Sequence, residues 1–154
     1  MAGCIGTNSN TEVQVEEIEK KPIEELSTKE ADIIERQGVN QNLDLLESFI
    51  DSAEANQEEK IRVVKYYTDK DDPGSEGAMI YELKSRYDEN ADQKWIEVKP
   101  DYTYYEAEQN EEFTVLNYGQ QCSSITTDEE QIFYVLRECH SGWEYRLVPT
   151  KNGV

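Results

Sequence analysis

Hydrophobic and polar positions alternate in two different rhythms along this chain, and the change between them falls near residue 60. Before it, Leu43, Leu46, Phe49, Ile50 and Ala53 recur at spacings of three and four, which places them on one face of a helix over about 43–55. Asn42 stands where an N-cap belongs. A second, earlier helix is expected from Ser27-Thr28-Lys29-Glu30, which has the form of a capping box; Ala31, Ile33, Ile34 and Gln37 follow, and Gly38 would stop it.

After residue 60 the rhythm is that of strands. Ile61-Arg62-Val63-Val64-Lys65-Tyr66-Tyr67 is β-branched and aromatic, and 78–86 sets Met79, Tyr81 and Leu83 against Ile80, Glu82 and Lys84. Further strands are expected at 94–99, ending before Pro100, at 112–118, at 132–139 and at 143–148. Turn compositions separate them: Asp69 to Gly77, Tyr87 to Gln93, and His140-Ser141-Gly142. Two helices followed by five or six strands in chain order predict an α+β fold, with two N-terminal helices packed on an antiparallel, mostly meander sheet. Residues 5–27 show no apolar face at either period and Pro22 interrupts them, so a disordered tether is expected over 1–27 and a single domain over 28–154.

Composition changes the picture in one respect, charge. Of 154 residues, 34 are Asp or Glu and 15 Lys or Arg, for a net charge of −19. A body this acidic repels phosphate backbones, which excludes nucleic acid and disfavours direct adhesion to an anionic bilayer. What this charge favours is solubility alone, a metal cation, or a cationic partner such as a protein of the cell envelope. No run of apolar residues is long enough to span a membrane.

There are three cysteines. Cys4 follows Ala2 and Gly3, and a polar stretch follows it. Small residues directly before a cysteine resemble the trimmed end of a bacterial lipoprotein signal, with Met1 standing where that pattern has Leu. The reading is lipidation of Cys4 and attachment to the outer face of the cell membrane, with an ordinary thiol as the alternative. Cys122 and Cys139 flank the most apolar strand-like run, Ile132-Phe133-Tyr134-Val135-Leu136. In an exported protein they read as a disulfide, worth about 3 kcal/mol for a loop of this size. In the cytosol they would be two buried thiols. Pairing them leaves Cys4 for the lipid.

Other chemistry finds little support. Cys139-His140 would point to opposite faces of a strand, so no thiol–imidazole dyad follows, and a zinc site there lacks a fourth ligand. No P-loop, dinucleotide fingerprint or Gly-x-Ser-x-Gly elbow occurs. Asp88, Asn90 and Asp92 supply the first three ligand positions of a calcium loop, but Gln93 and Lys99 stand where glycine and a bidentate glutamate are needed. They remain a weak metal candidate. Ten tyrosines exceed what a small core absorbs, and Tyr102, Tyr104 and Tyr105 are the best candidates for an exposed binding cluster.

Several segments together resemble a known group: Ala31-Asp32-Ile33-Ile34-Glu35 with Gly38, the strand from Lys60 to Thr68, the Tyr81 strand, Cys122-Ser123-Ser124-Ile125, and a second cysteine at Cys139. The chain is similar over about 31–139 to small uncharacterised lipoproteins of Bacillus-like Gram-positive bacteria, grouped as a domain of unknown function. The resemblance implies an exported, lipid-anchored protein and supplies no catalytic residues. The expected function is a non-enzymatic binding module at the cell envelope, without a cofactor. The alternatives are a small hydrolase using surface carboxylates and a calcium-stabilised binding module.

Overall fold

The computed structural model describes residues 19–68, 76–105, 119–140, 142 and 144–153. Among them, 49 % lie in strands and there is a single α-helix, so the fold is mostly β and not the two-helix α+β arrangement expected. The first expected helix is instead a hairpin of β1 (Ile33–Arg36) and β2 (Val39–Gln41). Between them Gln37 and Gly38 have φ of 53° and 80°, the two left-handed residues of a tight hairpin turn. Gly38 was a stop signal, but for a strand. The pair Ile33-Ile34 decides the matter: their side chains enter two different cores, on opposite faces of a sheet, as β-branched neighbours in a strand must.

The helix α1 (Leu43–Glu54) stands where its periodicity placed it and buries Leu46 and Phe49. Asn42 precedes it with a left-handed φ of 61° and makes no side-chain cap. Its amide donates instead to the carbonyls of Glu30 and Asp32, at 3.0 and 2.9 Å, tying the start of α1 to the segment that leads into β1.

Then follow β3 (Lys60–Thr68), β4 (Glu76–Asp88), β5 (Gln93–Asp101), β6 (Gln120–Cys122), β7 (Ser124–Thr127), β8 (Phe133–Arg137) and β9 (Tyr145–Pro149). The first six form one sheet in the order β2-β1-β3-β4-β5-β6, and the last three form a separate antiparallel sheet. The large sheet is not a simple meander. β1 runs parallel to β3, pairing Ile33 with Val63, and the chain between them turns back through β2 and crosses over as α1. β5 continues through the buried Pro100, opposite Tyr81, beyond the last β5–β6 pair of Val98 with Gln120. A proline is tolerated where the ladder on one side has ended.

Helix and small sheet lie side by side over one face of the large sheet. Their shared core holds Phe49, Val63, Tyr81, Leu83, Val98, Leu136 and Leu147. Among the described residues, the cluster on the other face buries Val64, Ala78 and Ile80, against which Ile23 and Leu26 pack. From Glu19 onward the expected tether is therefore laid on the sheet; a short 3-10 turn, Ile23–Glu25, puts its two aliphatics three apart, and Lys21 N–H donates to Thr103 O at 2.9 Å. Residues 1–18, the loop 69–75 and the expected strand 112–118 lie outside the described residues.

Candidate functional site

The Cys122–Cys139 disulfide is formed. Both cysteines are buried, at 1 % and 5 % exposure. Cys122 ends β6, and after Ser123 the chain enters the other sheet as β7, so the bond sits at the corner where the two sheets share a strand path. Ser123 N–H donates to Arg137 O and His140 N–H to Gln121 O, closing the same corner with backbone bonds of 2.9 and 2.8 Å. The bond ties off the open end of the β7–β8 hairpin. At its closed end Asp128 accepts from the backbone of Ile132 and Phe133 at 2.7 and 3.2 Å. Desolvation opposes the shift, but those two N–H groups hold the Asp128 carboxyl below its usual range. His140 faces solvent beside a sulfur already bonded, so no thiol–imidazole pair exists.

The tyrosine cluster is real but faces inward. Tyr67, Tyr105, Tyr102, Tyr81 and Tyr145 form a chain of ring contacts with centroids 4.7 to 6.4 Å apart. Tyr102 is only 3 % exposed and Tyr81 4 %. Burial, before the neighbouring Tyr81 and Tyr145, pushes the Tyr102 hydroxyl far above its ordinary value. Of the three tyrosines singled out for binding, Tyr102 is thus core, Tyr104 packs half-buried under the second face, and Tyr105 stacks edge-on against Tyr67. Gly77 makes the packing possible: a side chain there would meet Tyr104 O at 3.0 Å and the Tyr67 hydroxyl at 3.2 Å.

Asp88, Asn90 and Asp92 occupy the β4–β5 turn. Asp88 Oδ1 accepts from the N–H of Asn90 and Ala91, and Asp92 Oδ1 accepts from the Tyr87 hydroxyl at 2.8 Å. The carboxylates are spent on the turn itself. Among the described residues, no group of three or more His, Cys, Asp or Glu side chains is gathered to hold a metal ion. Cys4 lies outside the described residues.

One concave surface was not read from the sequence. Between the last two turns of α1, the start of β5 and the β6–β7 corner lies a shallow groove, floored by Ile50, Ala53, Ile96 and Ile125. Trp95 and Ser124 also line it, and the Trp95 indole N–H has no acceptor among the described residues. Glu54 and Lys94 form its rim, and Lys94 Nζ donates to the Glu54 carbonyl at 2.9 Å.

The helix beside this groove carries acid along its whole length, including its C-terminal turn. Asp44, Glu47, Asp51 and Glu54 follow at spacings of three, four and three, one stripe along α1, with no basic residue in its last turn. Glu47 meets Lys151 at 3.6 Å and accepts from the Tyr134 hydroxyl. Asp51 and Glu54 are exposed and have no ion-pair partner among the described residues. Acids at a helix C-terminus oppose its dipole, at a cost of about 0.3–1 kcal/mol each. The spacing of these acids was visible in the sequence; the groove beside them needed the β6–β7 corner, which was not.

Residues 30–118 match a family described as Domain of unknown function (DUF4362), and the chain belongs to it. The matched residues end before β6, so the disulfide and the three-stranded sheet lie beyond them. No curated protein and no solved structure matches the chain.

Proposed function

We propose that this member of the DUF4362 family is an exported module, anchored to the outer face of a Gram-positive cell membrane through lipid on Cys4, that binds a cationic partner at the envelope without catalysing a reaction. The observation that supports it most is the buried Cys122–Cys139 disulfide. Such bonds persist in oxidising compartments and are rare in the cytosol. Ala2-Gly3-Cys4 supports the lipid anchor, and the net charge of −19 supports the sign of the partner.

The test is fractionation of the chain, expressed behind a lipoprotein signal in a Gram-positive host. Wild-type protein is expected in the detergent phase with the membrane, and Cys4→Ser is expected in the medium, equally folded and still disulfide-bonded. Identical fractionation of the two would end the lipid-anchor reading. Binding of a cationic probe such as poly-lysine should weaken steeply with added salt, since exposed charges are screened within about 8 Å at physiological ionic strength. Salt-independent binding would contradict the electrostatic part.

A further inference from the structure

We infer that the groove between α1 and the β6–β7 corner is where that cationic partner docks, and that it takes a basic segment bearing an aliphatic side chain. This rests on the reading above and adds the place and the pattern. The groove floor is apolar, with Ile50 and Ala53 from the helix facing Ile96 and Ile125 from the two sheets. On its rim stands Glu54, beside Lys94, and one turn back along α1 is the exposed Asp51; neither carboxylate has an ion-pair partner among the described residues. An aliphatic side chain fits the floor while lysine or arginine on either side of it meets the two carboxylates.

Two features together mark this rim. Many acids elsewhere have local work. Asp88, Asp92 and Asp128 hold turns, Asp32 meets Arg62 at 3.5 Å, and Glu97 and Glu144 pair with Arg86 and Arg137 at 3.2 and 2.9 Å. Asp51 and Glu54 do none, and they lie at the end of α1 where negative charge is least favourable. A bound cation removes that conflict, because it meets the carboxylates and the negative end of the helix together. Lys94 already does so on a small scale, from the protein itself, at the Glu54 carbonyl. Charge alone would accept a cation anywhere on the surface; the apolar floor beside the unpaired acids specifies one place.

The experiment is an anisotropy titration of the oxidised full chain with two labelled peptides, one alternating lysine with leucine and one alternating lysine with serine. The lysine–leucine peptide is expected to bind more tightly. Asp51→Asn with Glu54→Gln should weaken it about tenfold, the size of one well-formed charge pair, while the melting temperature holds or rises. Glu129→Gln with Glu130→Gln removes the same charge from the exposed β7–β8 turn and should change affinity little. Ala53→Met, which fills the groove, should weaken the lysine–leucine peptide and not the lysine–serine one. Equal affinity of the two peptides, or equal loss from the two double variants, would overturn the docking site and leave the cationic-partner reading standing. Failure of the wild type to bind either peptide at low salt would overturn that reading itself.

Discussion

The two faces of the six-stranded sheet are built on opposite principles. One face joins α1 and the small sheet in a cluster of fifteen buried residues; the other buries three. Both derive from the same strands, because side chains alternate between faces. Val63, Tyr81 and Leu83 go inward, while their neighbours Arg62, Glu82 and Lys84 go outward, onto rows that the register sets as Arg62–Glu82–Lys99 and Lys60–Lys84–Glu97. The outward face is a ladder of mixed sign and is not acidic. Among the described residues, acid without base stands instead on α1, which carries Asp44, Glu47, Asp51 and Glu54 and no Lys or Arg. Stability and charge are separated on α1 as well: its inner face joins the core that holds the fold, and its outer surface carries four acids and no base.

Substitutions should rank by face. Phe49→Ala, at 0 % exposure in the shared core, should cost about 4 kcal/mol by chemical denaturation. Replacing both Cys122 and Cys139 by alanine should cost about 3 kcal/mol, since the unfolded chain regains the freedom of the closed loop. Ile80→Ala, on the thinly covered face, should cost about 2 kcal/mol; a loss as large as that of Phe49→Ala would show the two faces to be equal partners. Glu82→Gln, on the mixed ladder, should change stability by less than about 0.5 kcal/mol. The smallest effect is one of pH. Because the Asp128 carboxyl is held below its ordinary value in the folded state, its contribution is present above the unfolded carboxylate range and is lost as pH falls through the folded value. Asp128→Asn should flatten that part of the acid limb of a stability curve.

The helix α1 and the strands β3, β4, β5, β8 and β9 were legible because each presents a sustained period. The first hairpin was not. Ser27-Thr28-Lys29-Glu30 imitates a helix start, and a Gln-Gly turn with two left-handed residues is written in the same letters as a helix stop. The parallel β1–β3 pairing was hidden for the same reason, since a crossover cannot be seen until its first strand is. β6 and β7 have three and four residues and are rich in Gln, Ser and Thr, too short for alternation to rise above composition. Of the candidate site residues, the cysteine pair was correctly joined, from its spacing and the odd count together with an expectation of export. Tyr102 misled as a surface candidate: next to Tyr104 and Tyr105 it resembled an exposed cluster, yet it is the ring that Tyr81 and Tyr105 close over. No local sequence signal separates the two cases. The difference is set by strands distant in sequence, as Tyr81 of β4 meets both Tyr102 and Tyr145.

The most direct test of the account is the intact mass of the protein recovered from an oxidising compartment, alkylated before and after reduction. The account predicts that Cys122 and Cys139 take label only after reduction, as a bond closing the corner between the two sheets requires. Free labelling of both without reductant would contradict it, removing the staple from the fold and the main support for export together.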